Sequence, residues 1–162
     1  SCLFGLRDEF LSMLPGSDTA ALAMQAMLFE EFIAREADAG RLNLKFKALP
    51  QKKVLLHGHC HQKAFDAMPA VQKALKLVPG LAVEVVASSC CGMAGAFGYQ
   101  AAHYDVSMQM AEAGLLPAVR KAQADTLIVA DGTSCRHQIH DGAQREAIHV
   151  ARVLEAALDT AH

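Results

Sequence analysis

The chain has 162 residues, 52% of them hydrophobic, with a formal net charge of −2 and five cysteines. That length and hydrophobic content suffice for a full core without covalent staples, and the near-neutral charge offers no basic face, so nucleic acid is not expected as a partner. No apolar run approaches the roughly 18 residues of a bilayer span, so direct membrane insertion is not expected and the chain reads as cytoplasmic.

The first recognisable element is "SDTAALAMQAMLFEEFIAREADAG", residues 17–40, which reads as one amphipathic helix. Leu22, Ala26, Phe29 and Ile33 form its apolar stripe, Ser17 or Asp18 is placed to cap its start, and Gly40 is placed to end it. Polar "KALPQKK" then leads into three short apolar runs: "KKVLLHGHC" at 52–60, "LAVEVVASSC" at 81–90 and "TLIVADGTSC" at 126–135. Each reads as a buried strand, and each ends in a cysteine. Helical patterns occupy 62–77 and 99–124, the latter broken near Pro117, and a last one covers 136–158 with a break near Gly142. Strand, helix, strand, helix, strand predicts an α/β fold: one domain over 1–162 with a parallel-sheet β-α-β-α-β core and flanking helices.

In a parallel sheet every strand opens its C-terminal end on the same edge, where ligands bind. Cys60, Cys90 with Cys91, and Cys135 are therefore expected together at that edge, although 30 to 45 residues separate them in sequence. Neighbouring cysteines on an extended strand point to opposite faces, so one centre can use both Cys90 and Cys91 only if the chain leaves the strand there. The glycines of "CCGMAG", Gly92 and Gly95, permit that departure. Thiolates suit iron–sulfur clusters or zinc, and four converging donors are the usual minimum for either. The plainer readings are four small buried hydrophobes, a strained vicinal disulfide, or a thiol–disulfide redox pair at Cys90 and Cys91. The glycines lack the G-x-G-x-x-G order of a dinucleotide loop.

In "HGHCHQK" strict strand alternation places His57, His59 and His61 on one face and Cys60 on the other, which assigns the histidines structural or supporting roles. His137 and His140 lie one helical turn apart and read as solvent-exposed.

The segments "HGHCHQK", "CCGMAGAFGY" and "ADGTSCRHQI" closely resemble the cysteine-rich CCG domain, and the resemblance covers residues 52–140. That domain is found in heterodisulfide reductase, in the iron–sulfur subunits of glycolate oxidase and anaerobic glycerol-3-phosphate dehydrogenase, and in lactate-utilisation proteins. The wording is most similar to the C-terminal end of bacterial proteins that fuse an FAD-linked oxidase to iron–sulfur domains. The family pattern is a single Cys, then Cys-Cys-Gly, then Cys-x-x-Cys, usually present twice, and in heterodisulfide reductase it holds a non-cubane [4Fe–4S] cluster through five thiolates. Carried onto this sequence, the resemblance makes Cys60 the first ligand, Cys90 and Cys91 the doublet, and Cys135 the last ligand, with His59, His61, Gly92 and Gly132 around them. Gly132 stands where the pattern has its remaining cysteine, so the implied [4Fe–4S] centre lacks one thiolate; an ordinary four-thiolate cluster, a cluster with a histidine or solvent ligand, and no cluster at all stay open, and a cluster so exposed is expected to be absent from aerobic preparations.

"SCLFGLRDEF" echoes "SCRHQIHDGA", which implies that residues 1–16 are the tail of a preceding repeat and that the chain is the C-terminal part of a longer protein. The implied function is electron transfer: electrons from a flavin-linked oxidation of a 2-hydroxy acid (lactate, glycolate or 2-hydroxyglutarate) pass through iron–sulfur centres to an acceptor. FAD would belong to the parent protein, and the partners would be its FAD-linked oxidase domain or subunit and other iron–sulfur domains, peripheral to the inner membrane face at most. No residue is suited to handle hydride, so the isolated chain is expected to oxidise no substrate. The alternative is a zinc-binding or metal-free interaction module.

Overall fold

The structure, a computed structural model, describes residues 2–159 and falls into two compact units, one up to Leu42 and one from Asn43 onward. The first unit is helical: α1 (Cys2–Arg7), α2 (Glu9–Met13), α3 (Ser17–Gln25) and α4 (Phe29–Asp38). The single helix expected over 17–40 is thus two, because the backbone turns extended at Ala26 (ψ 106°) and again at Leu28 (ψ 156°). The new start at Leu28 is held by Glu31, whose Oε2 accepts the Leu28 amide at 2.7 Å and the Arg7 guanidinium at 2.8 Å. A 3.6-residue stripe does not survive that interruption: Ile33 is buried, whereas Leu22 and Phe29 are 46% and 44% exposed. The cap at the front is Gly16, with Ser17 already inside the helix, while Gly40 at φ +65° does end the second half.

The second unit is built on a four-stranded, all-parallel sheet: β1 (Lys53–His57), β2 (Ala82–Val85), β3 (Leu127–Ala130) and β4 (Ala147–Ile148), in the order β2-β1-β3-β4. The α/β reading holds and the parallel core gains a strand, since Ala147 and Ile148 pair with Ile128 and Val129. The chain passes from β1 to β2 on one side and then to β3 on the other, so the direction of winding reverses at β1. The helices are α5 (Cys60–Ala64), α6 (Met68–Lys76), α7 (Tyr104–Glu112), α8 (Leu115–Lys121), α9 (Thr133–Ala143) and α10 (Val150–Ala157).

Strand alternation divides the core. Leu55 and Ile128, adjacent in register, join Val86, Leu115, Val119 and Ile139 in a cluster that includes Cys91 and Cys135. Val54, Leu56 and Val129 are fully buried on the opposite side of their strands, and α6 packs against α10.

Three expected boundaries move. The pattern over 62–77 divides at Asp66, which takes a left-handed conformation (φ +52°), and α5 starts two residues earlier than expected. In 99–124 the interruption falls at Ala113 and Gly114 rather than Pro117, because Pro117 occupies the first turn of α8, where its missing N–H costs nothing. The pattern over 136–158 is α9, β4 and α10, with α9 ending at Gln144 (φ +52°).

Candidate metal centre

The strands stop well short of the cysteines. β1 ends at His57, β2 at Val85 and β3 at Ala130, and each is followed by a turn that carries its cysteine beyond the sheet's C-terminal edge. Cys60 is the first residue of α5, Cys135 lies in the first turn of α9, and Cys90 and Cys91 lie in the loop after β2. The sequence correctly assigns the edge but wrongly assigns the cysteines to strands. The alternation drawn through "HGHCHQK" fails for the same reason: the strand ends at His57, and His59 is instead the cap of α5.

β1 and β3 are sheet neighbours, with His57 opposite Ala130, so their two outgoing turns run side by side at the point where the winding reverses. That is where an open parallel sheet offers a crevice to ligands. The first turn is fixed by His59 and Gln62: His59 Nδ1 accepts the His61 amide at 3.2 Å, and Gln62 Oε1 accepts the His59 amide at 3.0 Å. Gln62 Nε2 donates to Asp131 Oδ2 at 2.6 Å, and Asp131 Oδ1 accepts the Val150 amide at 3.0 Å, which ties the first turn to the second. Arg136 closes the second turn by donating to the carbonyls of Ala130 and Asp131. Lys63 donates to the carbonyls of Ser88 and Ser89 and holds the approach to the doublet.

The doublet works because of Gly92. Its φ is +91°, and a Cβ there would lie 2.0 Å from the Ser107 carbonyl oxygen, so only glycine fits. Its amide donates to Cys90 Sγ at 3.3 Å. Gln138 of α9 donates to the Ser107 carbonyl at 3.2 Å and hydroxyl at 3.1 Å, which packs the turn between α7 and α9. Ser134 Oγ donates to the Gly95 carbonyl at 3.3 Å, and Tyr99 bonds His137.

The sulfurs fall into two pairs. Cys60 and Cys90, both half-buried, hydrogen-bond to each other; burial pushes the Cys60 thiol up to about 11, with Cys90 the next cause. Cys91 and Cys135 are buried and hydrogen-bonded to each other. The hydrogen bond from Cys135 is the largest cause holding Cys91 well below the ordinary thiol range, burial opposes it, and the His57 ring, close to the sulfur but short of a well-formed hydrogen bond, and the Met93 amide add to it. The same bond, then burial, pushes Cys135 far up. A ring nitrogen of His57 and the sulfurs of Cys91 and Cys135 all lie within 4.8 Å of one another.

His57 is the residue that sequence reasoning does not single out for the site. It is 1% exposed, its Nδ1 meets Ser88 Oγ at 3.0 Å, and its Nε2 has no hydrogen-bond partner among the described residues. The signal available in the sequence is its place at the end of an apolar run, directly before Gly58. His59 covers Gly132: a Cβ on Gly132 would lie 2.5 Å from the His59 ring and 2.9 Å from Cys135 Sγ. Burial lowers the His59 pKa, and the His61 ring stands edge-on to it at 5.2 Å, itself exposed. His137 and His140 are exposed, as expected, and Cys2 is an exposed residue at the start of α1.

The donor chemistry fits a thiophilic metal or an iron–sulfur cluster: four thiols, one buried imidazole nitrogen without a partner, and a backbone amide directed at sulfur. No helix among the described residues is long and apolar enough to cross a membrane.

Comparison with known proteins gives a sequence-family match over residues 54–140 to CCG, described as a cysteine-rich domain. The chain is 32% identical over 158 residues, 98% of its length, to one of the subunits of anaerobic glycerol-3-phosphate dehydrogenase from Escherichia coli strain K12, and equally to the same protein of strain O157:H7. It spans 39% of that relative. It is also 32% identical over 83 residues, 51% of this chain, to D-2-hydroxyglutarate dehydrogenase from E. coli K12, of which the match covers 8%. No solved structure matches it.

Proposed function

As this chain belongs to the cysteine-rich CCG domain family, we propose that it is the iron–sulfur electron-transfer domain of an oxidoreductase, with Cys60, Cys90, Cys91 and Cys135 as the thiolates that hold a [4Fe–4S] cluster. The observation that carries this reading is the arrival of these four thiols, from three separate turns, at the crevice where the sheet reverses its winding. A cluster bound there supplies one-electron transfer. The chain's own residues do the holding: α5 and α9 direct Cys60 and Cys135 from their first turns, the Gly92 amide stabilises negative charge on Cys90, and Lys63 braces the loop. The similarity to two dehydrogenases favours a parent enzyme that oxidises a hydroxylated substrate. By this reading its electrons come from an FAD-linked oxidase domain or subunit, a 2-hydroxy acid is the substrate class, and the location is cytoplasmic, at most peripheral to the inner membrane face. Residues 1–16 are, on the same reading, the tail of a preceding repeat in that longer protein.

A second reading has one observation in its favour. His57, Cys91 and Cys135 come close enough to serve a single zinc ion with one further thiolate. Anaerobic reconstitution with iron and sulfide, followed by analysis of iron, acid-labile sulfide and zinc, separates the two. The expected result is a brown protein with iron and sulfide in equal amounts. Stoichiometric zinc without sulfide in a colourless protein would establish the second reading instead.

A further inference from the structure

We propose that His57 is a metal ligand through Nε2, and that it supplies the donor that Gly132 cannot. The inference rests on the iron–sulfur reading for the identity of the centre, but its own evidence is the placement of one side chain. His57 is 1% exposed, and its Nε2 is a buried nitrogen with no hydrogen-bond partner among the described residues. An unsatisfied polar atom at that depth is destabilising, so a folded protein retains one where something else completes it. A nitrogen of this ring lies within 4.8 Å of both Cys91 and Cys135 sulfurs, a spacing that a bridging metal spans.

The other ring nitrogen is arranged as metal-bound histidines require. Nδ1 meets Ser88 Oγ at 3.0 Å, and a ligating imidazole ordinarily gives its second nitrogen's proton to such an acceptor, which fixes the tautomer and frees the lone pair of the first. The strand fixes the ring's direction as well. His57 is the last residue of β1, opposite Ala130 in register, and shares a face with Leu55, whose cluster contains Cys91 and Cys135.

His59, the competing candidate, fails on the same criteria. Its Nδ1 already accepts the His61 amide at 3.2 Å, so a neutral ring carries its proton on Nε2 and has no lone pair left to give. Its ring instead covers Gly132, where an added Cβ would come within 2.5 Å of it. The place of the absent cysteine is therefore occupied by carbon and closed to a donor, while an imidazole nitrogen approaches from the strand side. The donor set becomes four thiolates and one imidazole.

The rival role for His57 is a hydrogen bond, with Nε2–H donating to the Cys91 sulfur and Ser88 donating to Nδ1. Nitrogen hyperfine coupling in pulsed electron paramagnetic resonance distinguishes the two, because a directly bound imidazole couples strongly to a reduced cluster and a hydrogen-bonded one does not. The measurement uses protein labelled with nitrogen-15 histidine, reconstituted anaerobically with iron and sulfide. The expected result is one strongly coupled nitrogen in the native chain and in His59→Ala, absent in His57→Leu, which keeps the volume, and absent in His57→Cys, which restores iron content with a thiolate. A full cluster without that coupling, or coupling that persists in His57→Leu, overturns the assignment and leaves the iron–sulfur reading intact.

Cobalt(II) titration of the reduced, metal-free protein tests the ligand without any cluster. Loss of His57 should weaken cobalt binding at least tenfold, about the penalty for disturbing even a ligand's outer partner, and should shift the ligand-field bands. Equal affinity and identical bands in the native chain and His57→Leu overturn it. A native chain that takes up cobalt with His57 bound but no iron and sulfide would sustain the ligand assignment while refuting the iron–sulfur function, and one that takes up neither refutes both.

Discussion

The two sulfur pairs of the site are built from the same three turns, yet they sit in different surroundings. Cys91 and Cys135 belong to the hydrophobic cluster beneath α8 and α9, at 3% and 0% exposure, with the His57 ring beside them. Cys60 and Cys90 lie half-buried above that core, near the charged Lys63. In the loop after β2 the doublet sends one sulfur to each pair and links the interior to the surface in a single peptide step. The contrast teaches that, on the proposed iron–sulfur reading, the inner sulfurs would serve the packing and the centre together, whereas the outer sulfurs could be given up to a centre without loss to the fold.

The largest effect should come from the residue on which both pairs depend. Gly92→Ala forces a Cβ onto the Ser107 carbonyl at a backbone angle that disfavours it, and should cost about 3 kcal/mol in thermal unfolding of the metal-free protein. Iron retention should vanish with it; stability within error of the native chain would refute the account of the doublet. Next, Gly132→Cys should destabilise the inner side by about 2 kcal/mol through its clash with His59 and Cys135. His59→Ala in the same chain should recover at least half of that, and failure to recover it would mean that His59 does not cover the glycine.

The comparison itself is tested by truncating one sulfur from each pair. Cys135→Ala should lower the stability of the metal-free protein by about 1 kcal/mol, because a fully buried sulfur is removed from packed surroundings. Cys60→Ala should leave it within about 0.5 kcal/mol. Both should abolish iron retention. Equal losses of metal-free stability would erase the distinction between the pairs.

The smallest effect belongs to the far end of α9 and sets the baseline. Asp141, then Glu146, raises the His140 pKa above its ordinary value on an exposed face. A raised pKa stabilises the fold fully below the unfolded histidine value and loses that contribution as pH rises through the folded one. Nuclear magnetic resonance titration should place His140 above an ordinary histidine, return it in Asp141→Asn, and give the same value with and without metal. A value that moved with metal loading would show that the centre's influence extends the length of the helix.

Much of this arrangement is legible in the sequence, and the failures share a cause. The three apolar runs reveal three strands and their common edge; β1 and β3 are buried along most of their length, as continuous hydrophobic stretches require, whereas β2, expected to be buried, is an edge strand and mostly exposed. Where such a run stops being a strand is not written in its hydrophobicity. "HGHC" and "DGTSC" carry each run on to its cysteine with only a glycine to mark the turn, yet capping by His59 at one and the Gly132 turn at the other start helices there. That single misplacement hides His57, since alternation carried past the strand's real end groups it with His59 and His61. β4 escapes the pattern because two residues, Ala147 and Ile148, carry no period. Pro117 draws the expected break away from Gly114 because a proline reads alike inside and before a first turn.

The wide separation of the donors along the chain has a further consequence, which concerns the unfolded protein. A centre joining Cys60, Cys91 and Cys135 closes two successive loops, of 31 and 44 residues by difference of position. Cross-links over loops of that size remove conformational freedom from the denatured ensemble worth about 3–4 kcal/mol each on the chain-entropy account. On that reading a bound metal would act as a reversible clasp across β1, β2 and β3. Its loss to an oxidant would leave the native contacts in place and make escape from them easier, so protease resistance at constant temperature would report whether the clasp is closed.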